Sequence, residues 1–226
     1  MRCAVVIPAL DEEASIPLVL DAIPAGLAEE VVVVDNGSTD ATARVARERG
    51  ATLLTESRRG YGRACMRGID YLKHRRPDAV VFLDADFSDH PEEMERLLEP
   101  LRRGEADLVI GSRALGSREP GAMLPQALLG NWLAATLIRL LYGGRFTDLG
   151  PFRAIRFDSL LALEMRDPDF GWTAEMQVKA LRRGLRILEV PVPYRRRVGV
   201  SKVTGTVAGT IRAGHKILWT IFRNLL

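Results

Sequence analysis

The sequence is poor in the residues that build disulfide frameworks and zinc sites. Its 226 residues include two cysteines, Cys3 and Cys65, and three histidines. Cys3 lies in a strand-like apolar segment and Cys65 on the apolar face of a predicted helix, so we expect two reduced, buried thiols. The histidines, His74, His90 and His215, are scattered without ligand spacing and are given no catalytic role.

Long apolar runs are also absent. A membrane-spanning helix needs about 20 consecutive apolar residues, and the nearest segment, residues 127–142, is shorter and contains Arg139. The N-terminus leads directly into a strand-like pattern, which predicts that there is no signal peptide. We therefore expect a cytoplasmic protein, with any membrane contact peripheral and on the inner face of the cell membrane.

Several familiar ligand-binding motifs are missing. There is no Gly-x-Gly-x-x-Gly after a strand and no Gly-x-x-x-x-Gly-Lys-Ser/Thr, which disfavours a classical dinucleotide fold and a P-loop. The aromatic residues do not alternate with a basic stripe, so no nucleic-acid partner is expected. The net charge of +3 is compatible with a phosphate-bearing ligand, an anionic membrane surface or neither.

The first half of the chain does contain a regular alternation of strand and helix signals. Between the apolar runs, apolar residues recur at helical spacing. Strands alternating with helices at these lengths predict βαβ units and an α/β fold with a mostly parallel sheet. The predicted strands are residues 2–7, 31–34, 51–54, 80–83 and 108–110.

Two acids, Asp84 and Asp86, follow the apolar strand at residues 80–83. An Asp-x-Asp at a strand end is by itself equally consistent with a solvated turn and with a metal site. Three other polar segments, residues 8–12, 35–38 and 111–113, end strands at the same predicted edge, where parallel sheets bind ligands. This convergence favours a site for Mg²⁺ or Mn²⁺ completed by phosphate and water. Asp86 would bind the metal directly, and Asp84 would reach the ribose or the metal through water.

The second half is less regular. It predicts a largely apolar helix at 124–142, a helix at 173–183, and an edge strand at 187–194 that two prolines interrupt. Residues 195–202 carry four cations in eight positions. Such a run is either a solvated charged loop or a loop that closes over an anionic ligand, and its glycine favours phosphate binding.

The last predicted helix starts near residue 205 and is amphipathic. It either packs on the core or lies on a membrane surface, and the pattern favours neither. Arg212, Lys216 and Arg223 fall on the face opposite an apolar stripe, whose members are Val207, Ile211, Leu218, Ile221 and Leu225.

These segments together resemble the inverting glycosyltransferases of family 2, which have the GT-A fold. Residues 6–13 are similar to the opening strand and Asn-Glu motif of that family, with Asp11 in place of Asn. Residues 33–40 are similar to its Val-Asp-Asp-Gly-Ser-x-Asp motif, with Asn36 in place of the second Asp. Residues 84–86 and 111–113 match its metal-binding and phosphate-contacting segments. The segments 150–154, 172–176, 189–192 and 197–202 resemble the branch that contains the dolichyl-phosphate mannosyltransferases.

The resemblance implies roles for individual residues. The expected metal ligands are Asp86, Asp84 and Ser88, and the expected catalytic groups are Asp86, Arg113 and Glu175, with Asp148 as an alternative base to Glu175. The expected contacts to the nucleotide sugar are Pro8, Leu10, Glu12, Asp35, Asp84 and Asp86. The expected ligands of donor or acceptor phosphate are Arg113, Arg153, Arg197, Ser201 and Lys202.

The resemblance also implies one GT-A domain over residues 1–226, with a nucleotide-sugar half at 1–113 and an acceptor half at 114–226. The expected reaction is a metal-dependent, inverting transfer of a hexose from a UDP- or GDP-sugar to a polyprenyl or dolichyl phosphate. Two alternatives remain open: a soluble enzyme of the same family that acts on a small hydroxylated or phosphorylated acceptor, and a non-catalytic sugar-nucleotide-binding protein. The oligomeric state is not predicted.

Overall fold

The computed structural model describes residues 1–199 and 207–225, so the predicted phosphate ligands Ser201 and Lys202 lie outside the described residues. The strands are β1 (Cys3–Ala9), β2 (Glu30–Asp35), β3 (Thr52–Thr55), β4 (Ala79–Phe82), β5 (Leu108–Ser112), β6 (Arg153–Arg156) and β7 (Ile187–Pro191). The helices are α1 (Ile16–Ala22), α2 (Thr42–Glu48), α3 (Tyr61–Leu72), α4 (Met94–Arg102), α5 (Pro125–Tyr142), α6 (Phe157–Ala162), α7 (Trp172–Arg182) and α8 (Val207–Arg223), with a 3₁₀ turn at Pro91–Glu93.

Within these residues the strands form one seven-stranded sheet in the order β3-β2-β1-β4-β6-β5-β7. Only β6 runs antiparallel to its neighbours, β4 and β5. The α/β fold with a mostly parallel sheet is therefore confirmed, and β7 is the edge strand that its prolines predict. The carboxyl ends of β1, β2, β3, β4 and β5 all lie at one edge of the sheet. Because β6 and β7 pair with β4 and β5, both halves of the chain contribute to that sheet.

The core lies on both faces of the sheet, and β1 shows why its residues are apolar throughout. All seven of its residues are buried. Val5 and Ile7 pack into the cluster on one face, whereas Ala4 and Val6 pack into the cluster on the other. Successive side chains of a strand point to opposite faces, so a strand covered on both sides has no polar positions.

The two cysteines are buried and unpaired, as expected. Cys3 belongs to the cluster on one face of the sheet and Cys65 to the cluster on the other. Burial raises the pKa of Cys3 to about 12. Burial likewise raises the pKa of Cys65 well above its usual value. Both thiols are therefore held in the neutral form.

The last helix, α8, packs on α5 and α7 through a face that shares Ile221 with the predicted stripe but also includes residues outside it. Its buried side chains include Ala213, Thr220 and Ile221, while Trp219 is 56% exposed. Lys216 was expected on the outer, polar face, but its ammonium lies 3.2 Å from the buried carboxylate of Asp167. That prediction is wrong because a salt bridge to the core places a cation where the sequence pattern predicts solvent.

Within residues 1–199 and 207–225, no helix combines the length and the apolarity that crossing a bilayer requires.

The close packing of α3 against the 167–168 segment yields a stability prediction. A Cβ at Gly62 would lie 2.0 Å from the carbonyl oxygen of Asp167, whereas one at Gly130 in α5 would meet nothing within 4 Å. We expect Gly62→Ala to lower the free energy of unfolding by about 1–3 kcal/mol, since overpacking forces the backbone apart. Gly130→Ala should instead raise it by up to about 1 kcal/mol, the usual gain from replacing a helical glycine.

Urea denaturation of the two variants checks this prediction. Each variant replaces one helical glycine with alanine, so Gly130→Ala controls for the change in helix propensity. Equal effects of the two substitutions would show that the contact between α3 and the 167–168 segment is looser than described.

Candidate active site

A cleft of about 560 Å³ opens at the carboxyl edge of the sheet. That volume lies within the range usual for small-molecule sites. The cleft is lined by the strand ends after β1 and β4, by the start of α3, by the loop before α7, and by side chains from the 195–199 loop and α8. The lining residues are Pro8, Ala9, Leu10, Glu12, Asn36, Arg59, Gly60, Tyr61, Ala64, Asp84, Ala85, Asp86, Asp169, Phe170, Arg197 and Arg212.

Asp84 and Asp86 lie together in this cleft, directly after β4. Burial, and then the neighbouring charges of Asp86 and Asp89, raise the pKa of Asp84 well above its usual value. A hydrogen bond with Tyr61 and the charge of Arg113 oppose this shift. Burial and the charge of Asp86 also raise the pKa of Asp89 to about 7. Three carboxyl groups crowded at one strand end therefore favour a bound cation.

Asp86 is held in a fixed orientation by the residue two positions on. The backbone N–H and the hydroxyl of Ser88 both donate to Asp86 Oδ1, at 2.9 and 2.5 Å. The other carboxylate oxygen, Oδ2, lies 3.2 Å from Nη1 of Arg197. Nη2 of the same guanidinium donates to Glu12 at 2.7 Å. Glu12 and Asp86, from the ends of different strands, thus share one positively charged partner.

Backbone hydrogen bonds attach the segment that carries Arg197 to residues 84–89, the loop after β4 that carries the acids (the acid loop). Arg195 N–H donates to the carbonyl of Ser88 at 3.0 Å, and Val198 N–H donates to the carbonyl of Asp86 at 2.9 Å. The Arg195 guanidinium lies over the ring of Phe87, 3.6 Å from its centroid. Residues 195–198 therefore form one wall of the cleft, with the side chain of Arg197 directed at the acids.

The loops after β1 and β2 are joined by side-chain hydrogen bonds. Asp11 has a positive φ of 51°, a conformation that Asp and Asn tolerate better than most residues. Its backbone N–H donates to the Ser38 hydroxyl at 2.9 Å, and its carboxylate accepts the Thr39 N–H at 2.7 Å. Glu12 N–H donates to the Thr42 hydroxyl at 2.7 Å. These bonds fix Leu10 and Glu12 at the floor of the cleft.

Asn36 performs a similar task for the loop after β3. Its amide nitrogen donates to the carbonyls of Glu56 and Arg58, at 3.0 and 2.9 Å. Its amide oxygen accepts the Gly60 N–H at 2.7 Å. An aspartate could not make the two donated bonds, because an ionised carboxylate has no donor. The amide therefore shapes the wall formed by Arg59 and Tyr61.

Residues 4–163 match the family model described as glycosyl transferase family 2. The chain belongs to glycosyltransferase family 2. The expectation from the sequence motifs is thus confirmed, and the protein is a glycosyltransferase with the GT-A fold.

Similar proteins support the same assignment. A glycosyltransferase of Mycobacterium tuberculosis is 39% identical over 212 residues, which cover 92% of this chain and 93% of that protein. The undecaprenyl-phosphate mannosyltransferase of Micrococcus luteus is 34% identical over 228 residues, which cover 92% of this chain and 90% of that protein.

Among solved structures, glucosyl-3-phosphoglycerate synthase from Mycobacterium tuberculosis has a TM-score of 0.79 and 26% identity to this glycosyltransferase. The match covers 99% of this chain and 79% of that one. That structure is a complex with Mn²⁺, uridine diphosphate and glucosyl-3-phosphoglycerate.

The residues at the strand ends fit a divalent ion that shares its ligands with a diphosphate. Asp86 supplies a carboxylate oxygen that already faces a cation. Asp84 Oδ1 is buried and accepts no hydrogen bond within the described residues. No group of three His, Cys, Asp or Glu side chains able to hold a metal occurs in residues 1–199 and 207–225. Mg²⁺ is commonly bound by one or two carboxylates together with substrate phosphates and water.

The structure brings most of the predicted donor-site residues together. Pro8, Leu10, Glu12, Asp84, Asp86 and Arg197 line the cleft. Asp35 is buried at the end of β2, where it accepts the Ser38 N–H at 3.2 Å. It therefore stabilises the turn behind the cleft wall in this structure.

Arg153 and Glu175 are placed elsewhere, which argues against their predicted roles. Arg153 is fully buried and donates to the carbonyls of Gly150 and Thr173, and burial lowers its pKa to about 10. Glu175 accepts backbone N–H groups from the loop before α7, one of them at 2.7 Å from Asp167. It also pairs with Lys179. Both side chains connect loops to α7 and do not line the cleft, so neither is positioned to contact phosphate or to remove a proton.

Arg113 and Asp148, predicted as a phosphate ligand and an alternative base, form a buried ion pair. Nε and Nη2 of Arg113 donate to the two Asp148 oxygens at 2.8 and 2.7 Å. Burial opposes ionisation of Asp148, but the charge and hydrogen bonds of Arg113 outweigh it and hold the pKa of Asp148 below its usual value. Asp148 is therefore a weak base in this structure, and part of the Arg113 charge is already balanced.

Several residues to which the sequence analysis gave no role also line the cleft, among them Arg59, Tyr61, Asp169 and Arg212. Arg59 and Tyr61 follow β3. Because the carboxyl ends of parallel strands meet at one edge of the sheet, the same rule could have predicted these two residues. Burial raises the pKa of Asp169, and the backbone N–H of Tyr61 at the start of α3 opposes that shift. Arg212 is on α8, and only the docking of that helix brings it here.

Asn36 provides the first prediction from this site. We expect Asn36→Asp to lower the free energy of unfolding by on the order of 1–3 kcal/mol, because two partly buried carbonyls lose their donor and then face a carboxylate. Asn36→Ala, which removes the bonds without adding charge, should cost less. Urea denaturation at pH 7 should rank the free energy of unfolding as wild type above Asn36→Ala above Asn36→Asp. A wild-type-like Asn36→Asp protein would contradict the described role of the amide.

The buried pair of Arg113 and Asp148 provides the second. Asp148→Asn leaves a buried guanidinium without its counter-ion, which should cost about 3–5 kcal/mol at pH 7. Since the folded pKa of Asp148 lies below the usual value of 3.8, its contribution is present above pH 3.8 and is lost as the pH falls through the folded value. The difference from wild type should therefore shrink in strong acid.

Chemical denaturation at pH 7 and near pH 3 tests this prediction. Glu99→Gln is a matched acid-to-amide control, because its partner Arg103 and Glu99 itself are both more than half exposed. Exposed pairs contribute little to stability, so this variant should behave like wild type. If Asp148→Asn loses no more free energy of unfolding than Glu99→Gln does, the result would contradict a stabilising ion pair between Arg113 and Asp148.

Proposed function

We propose that this family 2 glycosyltransferase transfers a hexose from a UDP- or GDP-sugar to a polyprenyl phosphate at a membrane surface, with inversion at the anomeric carbon and with Mg²⁺ or Mn²⁺ as cofactor. The observation that carries the acceptor assignment is the apolar face of α5, which is exposed among the described residues. The similarity to the undecaprenyl-phosphate mannosyltransferase of Micrococcus luteus supports the same acceptor class.

The donor occupies the strand ends in this proposal. Pro8, Leu10, Glu12 and Asp35 contact the nucleoside, with Asp84 on the ribose side. Their positions at or directly behind the cleft wall support this assignment. We expect groups near Asp35 to determine whether the enzyme prefers UDP or GDP. Since both donors remain open, both are included in the assay.

The diphosphate lies beyond the acids. Asp86 would hold the metal, with Asp84 and Ser88 completing the protein side of the site, and the metal would neutralise the charge that develops on the departing diphosphate. Arg197 contributes positive charge from the opposite wall, 3.2 Å from Asp86. Ser201 and Lys202 are assigned to the phosphates from sequence alone, and Arg113 retains a role there through the part of its guanidinium not bonded to Asp148.

In the chemical step an oxygen of the acceptor attacks the anomeric carbon as the bond from that carbon to the diphosphate oxygen breaks, and the nucleoside diphosphate leaves with the electron pair. A phosphate acceptor is already an anion, so no base has to remove a proton. The engagement of Glu175 and Asp148 in other contacts supports an acceptor of this kind. An acceptor hydroxyl would need a base in the cleft, and Asp169 is a carboxylate of the cleft lining that we assign neither to the donor nor to the metal.

The apolar face of α5 supports a membrane-bound acceptor. Only Ala134, Ala135 and Ile138 of this 18-residue helix are buried. Leu129, Trp132 and Leu140 are 64%, 62% and 71% exposed. An exposed apolar patch of this kind marks a site for a membrane or for another protein, and we assign the patch on α5 to the membrane.

A second candidate is transfer to a small phosphorylated acceptor. The likeness to a glucosyl-3-phosphoglycerate synthase in complex with its phosphorylated product favours it. It leaves the exposed face of α5 without a role, and we therefore rank it second.

One experiment separates the candidates. Purified protein is incubated with Mn²⁺ and UDP- or GDP-hexose, and with either undecaprenyl phosphate in anionic vesicles or phosphoglyceric acid in solution. We expect transfer to the lipid phosphate, and we expect Leu129→Ser/Leu140→Ser to bind vesicles about a hundredfold more weakly. Each buried leucine contributes on the order of 1.5 kcal/mol or more, and 1.4 kcal/mol corresponds to a factor of ten.

The control variant is Leu18→Ser/Leu188→Ser, which removes two exposed leucines from α1 and β7. It should bind vesicles as wild type does. Transfer to phosphoglyceric acid alone, with no vesicle binding, would establish the second candidate. Nucleotide binding with no transfer to either acceptor would instead indicate a non-catalytic protein, and transfer that persists in Asp86→Asn would refute the proposed metal site.

A further inference from the structure

The guanidinium of Arg197 occupies a position between two buried carboxylates. It lies 2.7 Å from Glu12 Oε1 and 3.2 Å from Asp86 Oδ2. The two acidic side chains are 9% and 11% exposed. Carboxylates this close repel each other strongly unless a cation lies between them. Arg197 therefore meets the electrostatic need that a metal ion at Asp86 would otherwise meet.

We propose that Arg197 is an internal counter-ion of the metal site, which the incoming metal replaces. In the free protein its guanidinium balances Glu12 and Asp86. When the metal arrives with the nucleoside diphosphate, the metal takes over that position, and the guanidinium turns to the diphosphate. This inference rests on the metal-dependent donor binding proposed above and adds a cation exchange to it.

The backbone around Arg197 allows this exchange to be a side-chain movement. Arg195 and Val198 are hydrogen-bonded to the carbonyls of Ser88 and Asp86 on either side of it. Arg195 is further held by its stacking on Phe87. Both neighbours of Arg197 are thus attached to the acid loop. The guanidinium of Arg197 can therefore rotate while the backbone of residues 195–198 stays in place.

The contacts of Arg197 are also incomplete, which favours its release. Its Nε is buried and donates to no partner within the described residues. A buried donor without a partner costs free energy. A diphosphate next to the metal offers oxygen acceptors for a guanidinium, with which arginine forms strong, often bidentate hydrogen bonds.

The balance of charge supports the same sequence of events. A divalent ion brings one more positive charge to Glu12 and Asp86 than the guanidinium does. The displaced Arg197 then adds its own positive charge on the side of the anionic donor. The exchange thus turns a site that holds a cation into one that attracts a diphosphate.

Titration of the full-length protein with Mn²⁺, followed by the loss of the free-ion EPR signal, tests this proposal. Without nucleotide, we expect Arg197→Gln to bind Mn²⁺ about tenfold more tightly than wild type, which corresponds to about 1.4 kcal/mol. With Mn²⁺ present, the same variant should bind UDP or GDP more weakly than wild type, because the diphosphate loses its guanidinium. Thermal denaturation confirms that each variant is folded.

Arg196→Gln is the matched control. It removes the same charge from the next residue, whose side chain donates to the carbonyl of Pro120 and points away from the acids. Its Mn²⁺ affinity should equal that of wild type. Equal tightening in both variants would mean a general effect of net charge and would overturn the proposal.

Two other outcomes are separable. If wild type binds Mn²⁺ with nucleotide but folded Arg197→Gln binds Mn²⁺ alone no more tightly, the exchange is refuted and the proposed function stands. If wild type binds no Mn²⁺ under either condition, both the exchange and the metal-dependent function are refuted.

Discussion

Parallel strands deliver their carboxyl ends to one edge of a sheet, and the acids placed there must be balanced by positive charge. In this glycosyltransferase Glu12 follows β1, and Asp84 and Asp86 follow β4, which are neighbouring strands. Burial and mutual repulsion raise the pKa of Asp84. The positive charge of Arg197 reduces the repulsion between these acids, and this residue comes from a segment more than 100 residues away in the chain. The donor site, the metal and the 195–198 wall all depend on this one electrostatic constraint.

The same constraint explains why several polar groups near the cleft are structural. Asn36, Asp11 and Ser88 use their hydrogen bonds to fix loops that carry the acids or face them. Asp148 orients Arg113 through two hydrogen bonds and balances part of its charge. A cleft that must keep like charges close together can do so only if the loops around it are rigid, and these bonds provide that rigidity.

The cleft and the exposed face of α5 are two surfaces with different chemistry. The cleft is rich in charge and hydrogen-bond donors, as a sugar nucleotide requires, whereas α5 presents Leu129, Trp132 and Leu140 to solvent. An acceptor with an anionic head and an apolar tail would use both surfaces. The small apolar cluster formed by α5, α7 and α8 connects them, so the helix that offers the apolar face also supports the one that carries Arg212.

Local sequence was sufficient for most of the strands and helices and for the group of acids at one edge, but it did not predict β6 or α6. Strand residues buried on both faces must be apolar, and a polar residue directly after such a strand must lie at the edge of the sheet; both facts are visible in residues 80–86. The insertion of β6 between β4 and β5, and the roles of Arg153, Glu175 and Lys216, were not predictable in this way. The partner of Lys216 is distant in sequence, whereas Glu175 is held by the loop just before its own helix. A cation that pairs with a buried acid looks the same in sequence as one that faces water. The sequence alone therefore determined which chemistry gathers at the carboxyl edge, and tertiary packing decided which charged groups reach it, because charge pairing depends on distances that only the folded chain sets.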